Sequence, residues 1–321
     1  MGLKNKKTAL SILIMLIIIL LIIDPKRNIN ACFDGLSLWS TAILPTLLPF
    51  FFLTGILSSL GFLQKVGKLL SPITTTLFKT DGISGYVYIL SIISGYPVGA
   101  KTTADLYENG TITKEQAFKI TTFTSTSGPL FIIGTVGANM YGSAKLGYLI
   151  LISHILGAFL NGLLYRNKFL TTTYQKIITF NNKNPLEDTM YNAIKSVLIV
   201  GGYVAIFYMI ISMLNNFNIL YPFSKFLSLI TPLSQLECGA LINGFIEVTR
   251  GCVDLSQINI PQFRLLVFST GLISFGGVSI FLQALTFLKR FDISTKFYLT
   301  TKITQTILSV LIALILGFIF M

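Results

Sequence analysis

The sequence predicts an all-α polytopic membrane protein, and three observations carry that prediction. Hydrophobic residues make up 53% of the chain and charged residues only 11%, against about 25% charged in an ordinary soluble domain. Apolar runs long enough to cross about 30 Å of hydrocarbon recur along the whole length. Basic residues gather between those runs rather than along one face, as Lys and Arg do in cytoplasmic loops. Other classes fall away on the same numbers. Three cysteines, Cys32, Cys238 and Cys252, are too few for a disulfide scaffold, and the hydrophobicity excludes a disordered chain. The net charge of +12 is distributed wrongly for nucleic-acid binding. One histidine, His154, and no C-x-x-C pair leave no zinc or haem ligand set, so no metal and no cofactor is expected. Neither a Walker motif nor a catalytic triad is present. The chain therefore reads as no enzyme, and not as an ATP-driven pump by itself.

The elements follow in order. Lys4, Lys6 and Lys7 precede the apolar run Thr8–Ile23. That resembles a signal peptide, but no A-x-A site follows it, so residues 1–37 are expected to be an uncleaved anchor span and a short outer loop. Further spans are expected at Leu38–Phe62, Phe118–Met140, Leu146–Tyr165, Ser196–Asn215, Leu265–Leu288 and Phe297–Met321. Two apolar segments are broken. Ile83–Ala100 contains Gly85, Gly95, Pro97 and Gly99, and Phe226–Gly251 contains Pro232, Glu237, Gly239, Gly244 and Glu247. Irregular backbone at membrane depth survives only when buried in protein or lining a wet cavity, which makes both segments re-entrant hairpins. The connector 101–119 is a solvated turn in which Thr113 and Gln116 can form a capping box. Residues 166–195 are polar and read as a cytoplasmic linker. With the N-terminus inside and both hairpins returning to their own side, inside segments hold 18 of the 24 Lys and Arg and outside segments hold 6. That bias supports the topology.

An internal repeat connects these elements. Gly95 lies 32 residues before Ser127, and Gly244 lies 32 before Gly276. At the resulting offset of 149, Gly128 falls on Gly277 and Lys101 on Arg250. Each half reads as helix, hairpin and broken helix, and the charge count sets the halves in opposite orientations. Inverted repeats with discontinuous helices are the architecture of many secondary transporters, with the solute near the midplane between the repeats. The expected divisions are 38–165 for the first repeat with a linking span, 196–288 for the second, and 289–321 for a last span.

The ordered set Ser94-Gly95-Tyr96-Pro97-Val98-Gly99-Ala100, Ser127-Gly128-Pro129-Leu130-Phe131-Ile132, Gly244-Phe245-Ile246-Glu247-Val248-Thr249-Arg250-Gly251 and Phe275-Gly276-Gly277-Val278-Ser279 through Gln283 resembles the YlbJ-type sporulation integral membrane proteins. These belong to the nucleoside-recognition or Gate domain group, and the resemblance covers about residues 38–288. It implies a multi-pass protein of the bacterial cell membrane, specifically the mother-cell-derived outer forespore membrane, that carries dipicolinic acid. Its implied partners are the lipid bilayer, that small organic anion and other sporulation membrane proteins. Two alternatives remain open: an assembly component of the spore envelope without transport, and a nucleoside or cation gate. Family members often carry asparagine just before Ser-Gly-Pro, where this chain has Thr124-Ser125-Thr126.

The candidate solute contacts are read from these motifs. Pro129 removes an amide donor and Gly128 loosens the helix, which frees carbonyls near Ser127. Gly276 and Gly277, with Ser279 and Gln283, form the matching break. Gly95, Tyr96, Pro97 and Gly99 form one hairpin arm, where glycine permits close backbone approach. Glu247 and Thr249 lie in the other. An acid within an apolar stretch lines a pathway or pairs locally, here with Arg250. Lys101 and Arg250 are cations able to attract a dianion from the two sides, or side chains that snorkel to the interfaces. Gly55, Gly157 and Gly162 read as packing, and His154 as an interhelical hydrogen-bonding residue.

Overall fold

The computed structural model describes residues 2–168 and 185–321, and among these every regular element is helical. α1 (Gly2–Ile23) leads to α2 (Pro25–Leu38), which passes through a π-turn, Trp39–Ile43, into α3 (Leu44–Ser59). There follow α4 (Phe62–Leu77), α5 (Gly82–Ser94), α6 (Val98–Glu108), α7 (Lys114–Ile120), a π-helical segment Leu130–Met140 and α8 (Ala144–Tyr165). The second series is α9 (Pro185–Asn216), α10 (Tyr221–Ile230), α11 (Gln235–Ile246), α12 (Val248–Ser256), α13 (Gln262–Phe275), α14 (Gly277–Leu288) and α15 (Thr295–Phe320).

The same order therefore occurs twice. A long helix (α3, α9) precedes an amphipathic helix (α4, α10), two short hairpin arms (α5 and α6, α11 and α12), a helix broken in its middle, and a final helix (α8, α15). The repeat is larger than its motifs indicate, since it includes α4, α10, α8 and α15. Its register is visible in chemistry too. Lys101 pairs with Asp105 at 2.8 Å and Arg250 with Asp254 at 3.0 Å, both at i,i+4 and both at the offset of 149.

Helix faces are inverted relative to a soluble protein. On α15, Ile303, Ile307, Leu311, Ile315 and Phe318 are exposed, whereas Tyr298, Lys302, Gln305 and Ser309 are buried. On α8, Ile152, Leu156, Leu160 and Leu164 face outward, and Ser153, His154 and Asn161 are fully buried. Polar groups point inward, where they bond one another across helices, and hydrocarbon points toward lipid. Asn161 Nδ2 donates to Thr122 O at 2.6 Å, and Thr304 Oγ1 donates to Asn161 Oδ1 at 2.6 Å.

Four helices are long and apolar enough to span: Ala144–Tyr165, Leu186–Asn216, Gln262–Phe291 and Thr295–Phe320. Several expected segments differ from what is found. Phe118–Met140 is not one span but α7, an unwound stretch over 124–128 and the π-helical segment. Leu38–Phe62 contains the π-turn and ends at Gly61, whose φ of +72° stops the chain before α4. The polar linker is shorter than 166–195, because α9 already begins at Pro185 with Glu187 and Asp188 in its first turn, where the helix dipole favours acids. The remainder of that linker, 169–184, lies outside the described residues. The Thr113 capping box is present: Thr113 Oγ1 accepts from Gln116 N at 3.2 Å, and Gln116 Oε1 from Thr113 N at 2.7 Å.

Candidate functional site

Both hairpins turn through a short non-helical tip. In the first, α5 ends at Gly95 (φ +80°), a cis Tyr96–Pro97 bond follows, and α6 starts at Val98. In the second, α11 ends at Glu247, extended at φ −140° and ψ 116°, and α12 starts at Val248. Each tip lies against the break of its own repeat. A Cβ on Gly95 would stand 2.6 Å from Gly128 N, and one on Gly99 would stand 2.0 Å from Thr124 O. A Cβ on Gly277 would stand 3.1 Å from both Gly244 O and Ile246 O. These contacts are backbone against backbone, which is why side-chain-free residues occupy them.

The tips and breaks of both repeats meet at one cavity of about 100 Å³. Its polar wall carries Ser94, Gly95, Tyr96, Ser127, Gly128, Glu247, Thr249 and Gln283, and its opposite wall carries Ile43, Leu47, Phe50, Val200 and Val204. Four helical segments begin at or next to the polar wall: α6, the π-helical segment, α12 and α14. Glu247 caps α12, its Oε2 accepting from Arg250 N at 2.8 Å. The other three have no side-chain cap. Ser94 Oγ is buried and has no hydrogen-bond partner among the described residues.

His154 ties the two breaks together. Its Nε2 accepts from Ser127 N at 2.9 Å, and its Nδ1 lies 2.8 Å from Ser274 Oγ. Because Nε2 accepts, the ring proton of neutral His154 sits on Nδ1 and is donated to Ser274. Tyr96 makes a second cross-repeat link, donating its hydroxyl to Ile273 O.

The remaining sequence-predicted residues stand apart from the cavity. Pro97 lines a small neighbouring cavity behind Tyr96. Pro129 opens the π-helical segment, and Gly276 holds φ +86° at the second break. Ser279 accepts from Gln283 Nε2 at 3.2 Å. Lys101 lines a separate polar cavity of about 380 Å³ with Asp105, Glu108 and Arg290, where Arg290 reaches both acids at 3.1 Å. The side-chain pairing expected between Glu247 and Arg250 is not found. Glu247 is engaged by the Arg250 backbone amide, and the guanidinium turns to Asp254 in an ion pair without an aligned hydrogen bond. Glu237 closes a capping box on Ser234 and pairs with Arg264 at 2.7 Å. Gly157 and Gly162 pack closely, against Ser309 and against Phe78 and Phe123.

Lys302 was missed in the sequence. It falls within the expected span Phe297–Met321 and is 1% exposed inside α15. Its Nζ donates to Ser125 Oγ at 3.0 Å and to Gln305 Oε1 at 3.3 Å, and it lies 5.3 Å from the centre of the Tyr96 ring. The polar stripe Lys302, Gln305, Ser309, spaced three and four residues apart within an apolar helix, was the available signal.

Comparison with known proteins agrees with the motif resemblance. The model of the Gate family, described as nucleoside recognition, matches residues 40–144. The sporulation integral membrane protein YlbJ of Bacillus subtilis (strain 168) is 28% identical over 91% of this chain and 78% of its own length. CNTnw in an inward-facing substrate-bound state has the same fold, with a TM-score of 0.53 at 14% identity over 87% of this chain and 75% of that one. A variant of CNTnw in an outward-facing state gives 0.53 at 13% identity over 98% and 84%. The chain is thus an all-α membrane protein with the fold of CNTnw, similar over residues 40–144 to the Gate family and over most of its length to the YlbJ sporulation integral membrane protein.

Proposed function

We propose that this protein is a membrane transporter of a small organic anion, which it holds in the cavity between the two hairpin tips. The observation that carries the reading is the convergence of both repeats on that cavity. Of three helical segments without side-chain caps, the π-helical one begins at its polar wall and α6 and α14 begin next to it, and their dipoles favour negative charge. Ser94, Ser127 and Thr249 supply hydroxyls for carboxylate oxygens. Dipicolinate is the solute implied by the similarity to YlbJ-type proteins, and the outer forespore membrane is the implied place of action.

The test is uptake of labelled dipicolinate into liposomes containing the purified protein, with nucleosides as competitors. Saturable uptake that nucleosides leave unchanged is expected. Uptake of labelled nucleoside in place of dipicolinate would transfer the site to the nucleoside reading. Uptake of neither would refute transport.

A further inference from the structure

Lys302 is a buried cation without an anionic partner. None of the described carboxylates forms an ion pair with it. Its contacts are neutral oxygens: Ser125 Oγ, Gln305 Oε1 and, at 3.5 Å, Ser125 O, with the face of Tyr96 closing the fourth side. This oxygen cluster is itself held in place. Gln305 Nε2 donates to Ser125 O at 2.9 Å, and Tyr298 OH lies 3.2 Å from Ser125 Oγ. Ser125 belongs to the unwound stretch 124–128, so its carbonyl is free of a helical bond. A peptide carbonyl and a hydroxyl on unwound backbone, joined by an amide oxygen from α15, are the kind of donor set that holds a monovalent cation. Here an ammonium on a flexible stem fills it.

We propose that Lys302 is a tethered coupling cation: its ammonium occupies a monovalent-cation cage on the first broken helix, and turnover is linked to the Lys302 proton and not to a free metal ion. The exchange is simple to balance. An N–H bond of the ammonium breaks as its proton moves along the hydrogen bond to Ser125 Oγ, the Ser125 hydroxyl proton passes to water in the cavity of about 10 Å³ that Ser125 lines with Tyr96 and Tyr298, and the neutral amine later regains a proton from water admitted from the other side of the membrane. That cavity has room for about one water. The titratable groups facing Lys302 are Tyr96 from the hairpin tip, Tyr298 from its own helix through Ser125, and His154 from α8 beyond the Tyr96 ring. With no carboxylate among them, the field holding the proton comes from dipoles alone, those of Ser125, Gln305 and the Tyr96 ring.

The cage is tested without any solute. Melting curves of purified wild type and of Lys302→Ala are compared in sodium, potassium and choline chloride. Wild type should not distinguish the three salts. Lys302→Ala, with the cage vacated, should melt about 2 °C or more higher in sodium or potassium than in choline at saturating cation. Lys302→Gln, which fills the space, should show no such shift and controls for general destabilisation. No cation effect on Lys302→Ala would overturn the cage.

The coupling arm rests on the transport reading. In liposomes, a pH gradient should drive wild-type uptake and a sodium gradient should not, while Lys302→Gln should retain exchange and lose the response to pH. Sodium-driven wild-type uptake, or pH-driven uptake by Lys302→Gln, would overturn the coupling. Liposomes that exchange no anion would sink the transport reading while leaving the melting result to decide the cage.

Discussion

Replacing Gly99 by alanine places one methyl group where the structure has none to spare. The added Cβ would lie 2.0 Å from Thr124 O and 3.0 Å from Thr124 C. To reach ordinary van der Waals contact near 3.4 Å, arm and unwound stretch must separate by about 1.4 Å. Neither side yields easily. Thr124 Oγ1 is anchored to Ile120 O at 3.0 Å, and the next carbonyl, Ser125 O, is fixed by Gln305 at 2.9 Å. Opposite them, Thr103 Oγ1 is bonded to Gly99 O at 2.7 Å. Overpacking of this kind costs about 1–3 kcal/mol, and a clash with backbone belongs at the upper end. A loss of about 2–3 kcal/mol corresponds, for a chain of this length, to a melting midpoint lowered by about 3–5 °C. Circular dichroism melts in detergent measure it, with Gly134→Ala as the control, since nothing stands within 4 Å of a Cβ there. Equal stability of the two variants, with equal transport, would refute the claim that the first tip rests on the unwound stretch.

Substitutions at two further positions probe the links around the cavity. His154→Phe leaves the Ser127 amide and the Ser274 hydroxyl without their partner, at about 1–3 kcal/mol for each buried group; His154→Gln can still accept from Ser127 and should lose about half as much by chemical denaturation, so equal losses would argue against the bridge. Glu247→Gln keeps an acceptor for the Arg250 amide while removing a negative charge from the cavity wall. Apparent KM for a dicarboxylate should fall about fivefold, equivalent to about 1 kcal/mol of relieved repulsion, and a rise in KM would contradict an anionic solute.

The parts of this molecule visible in sequence are those where backbone geometry demands a residue type. Gly95 and Gly128, Gly244 and Gly277 stand where two backbones meet, and only glycine fits, so their shared 33-residue spacing exposes the repeat. Lys101 and Arg250 were matched by the same arithmetic, and each proves to have an aspartate four residues on. What could not be read was which face of an apolar helix points inward. Lys302 follows four residues after Tyr298 at the start of a span, a place where lysine ordinarily reaches the interface. Its burial depends on Ser125, 177 residues away. His154 is similar: its partners Ser127 and Ser274 come from different repeats, and local sequence around position 154 says nothing of either. Hydropathy also merged α7, the unwound stretch and the π-helical segment into one span, because Thr, Ser and Gly at 124–128 scarcely lower an apolar average.

The cavity's two walls differ in kind, and the difference sets a direction. Ile43, Leu47, Phe50, Val200 and Val204 present only hydrocarbon to the hairpin tips. A surface of that sort imposes no register: shifting along it trades one methyl contact for another, whereas pulling away from it exposes apolar area at about 25 cal/mol per Å². A hydrogen bond that does cross from α9, Tyr203 OH with Thr286 Oγ1 at 3.0 Å, joins exposed side chains, where water can replace it at little cost. The tips therefore resist separation from the α3–α9 wall more than displacement along it, since only separation exposes the hydrocarbon of Leu47, Val200 and Val204.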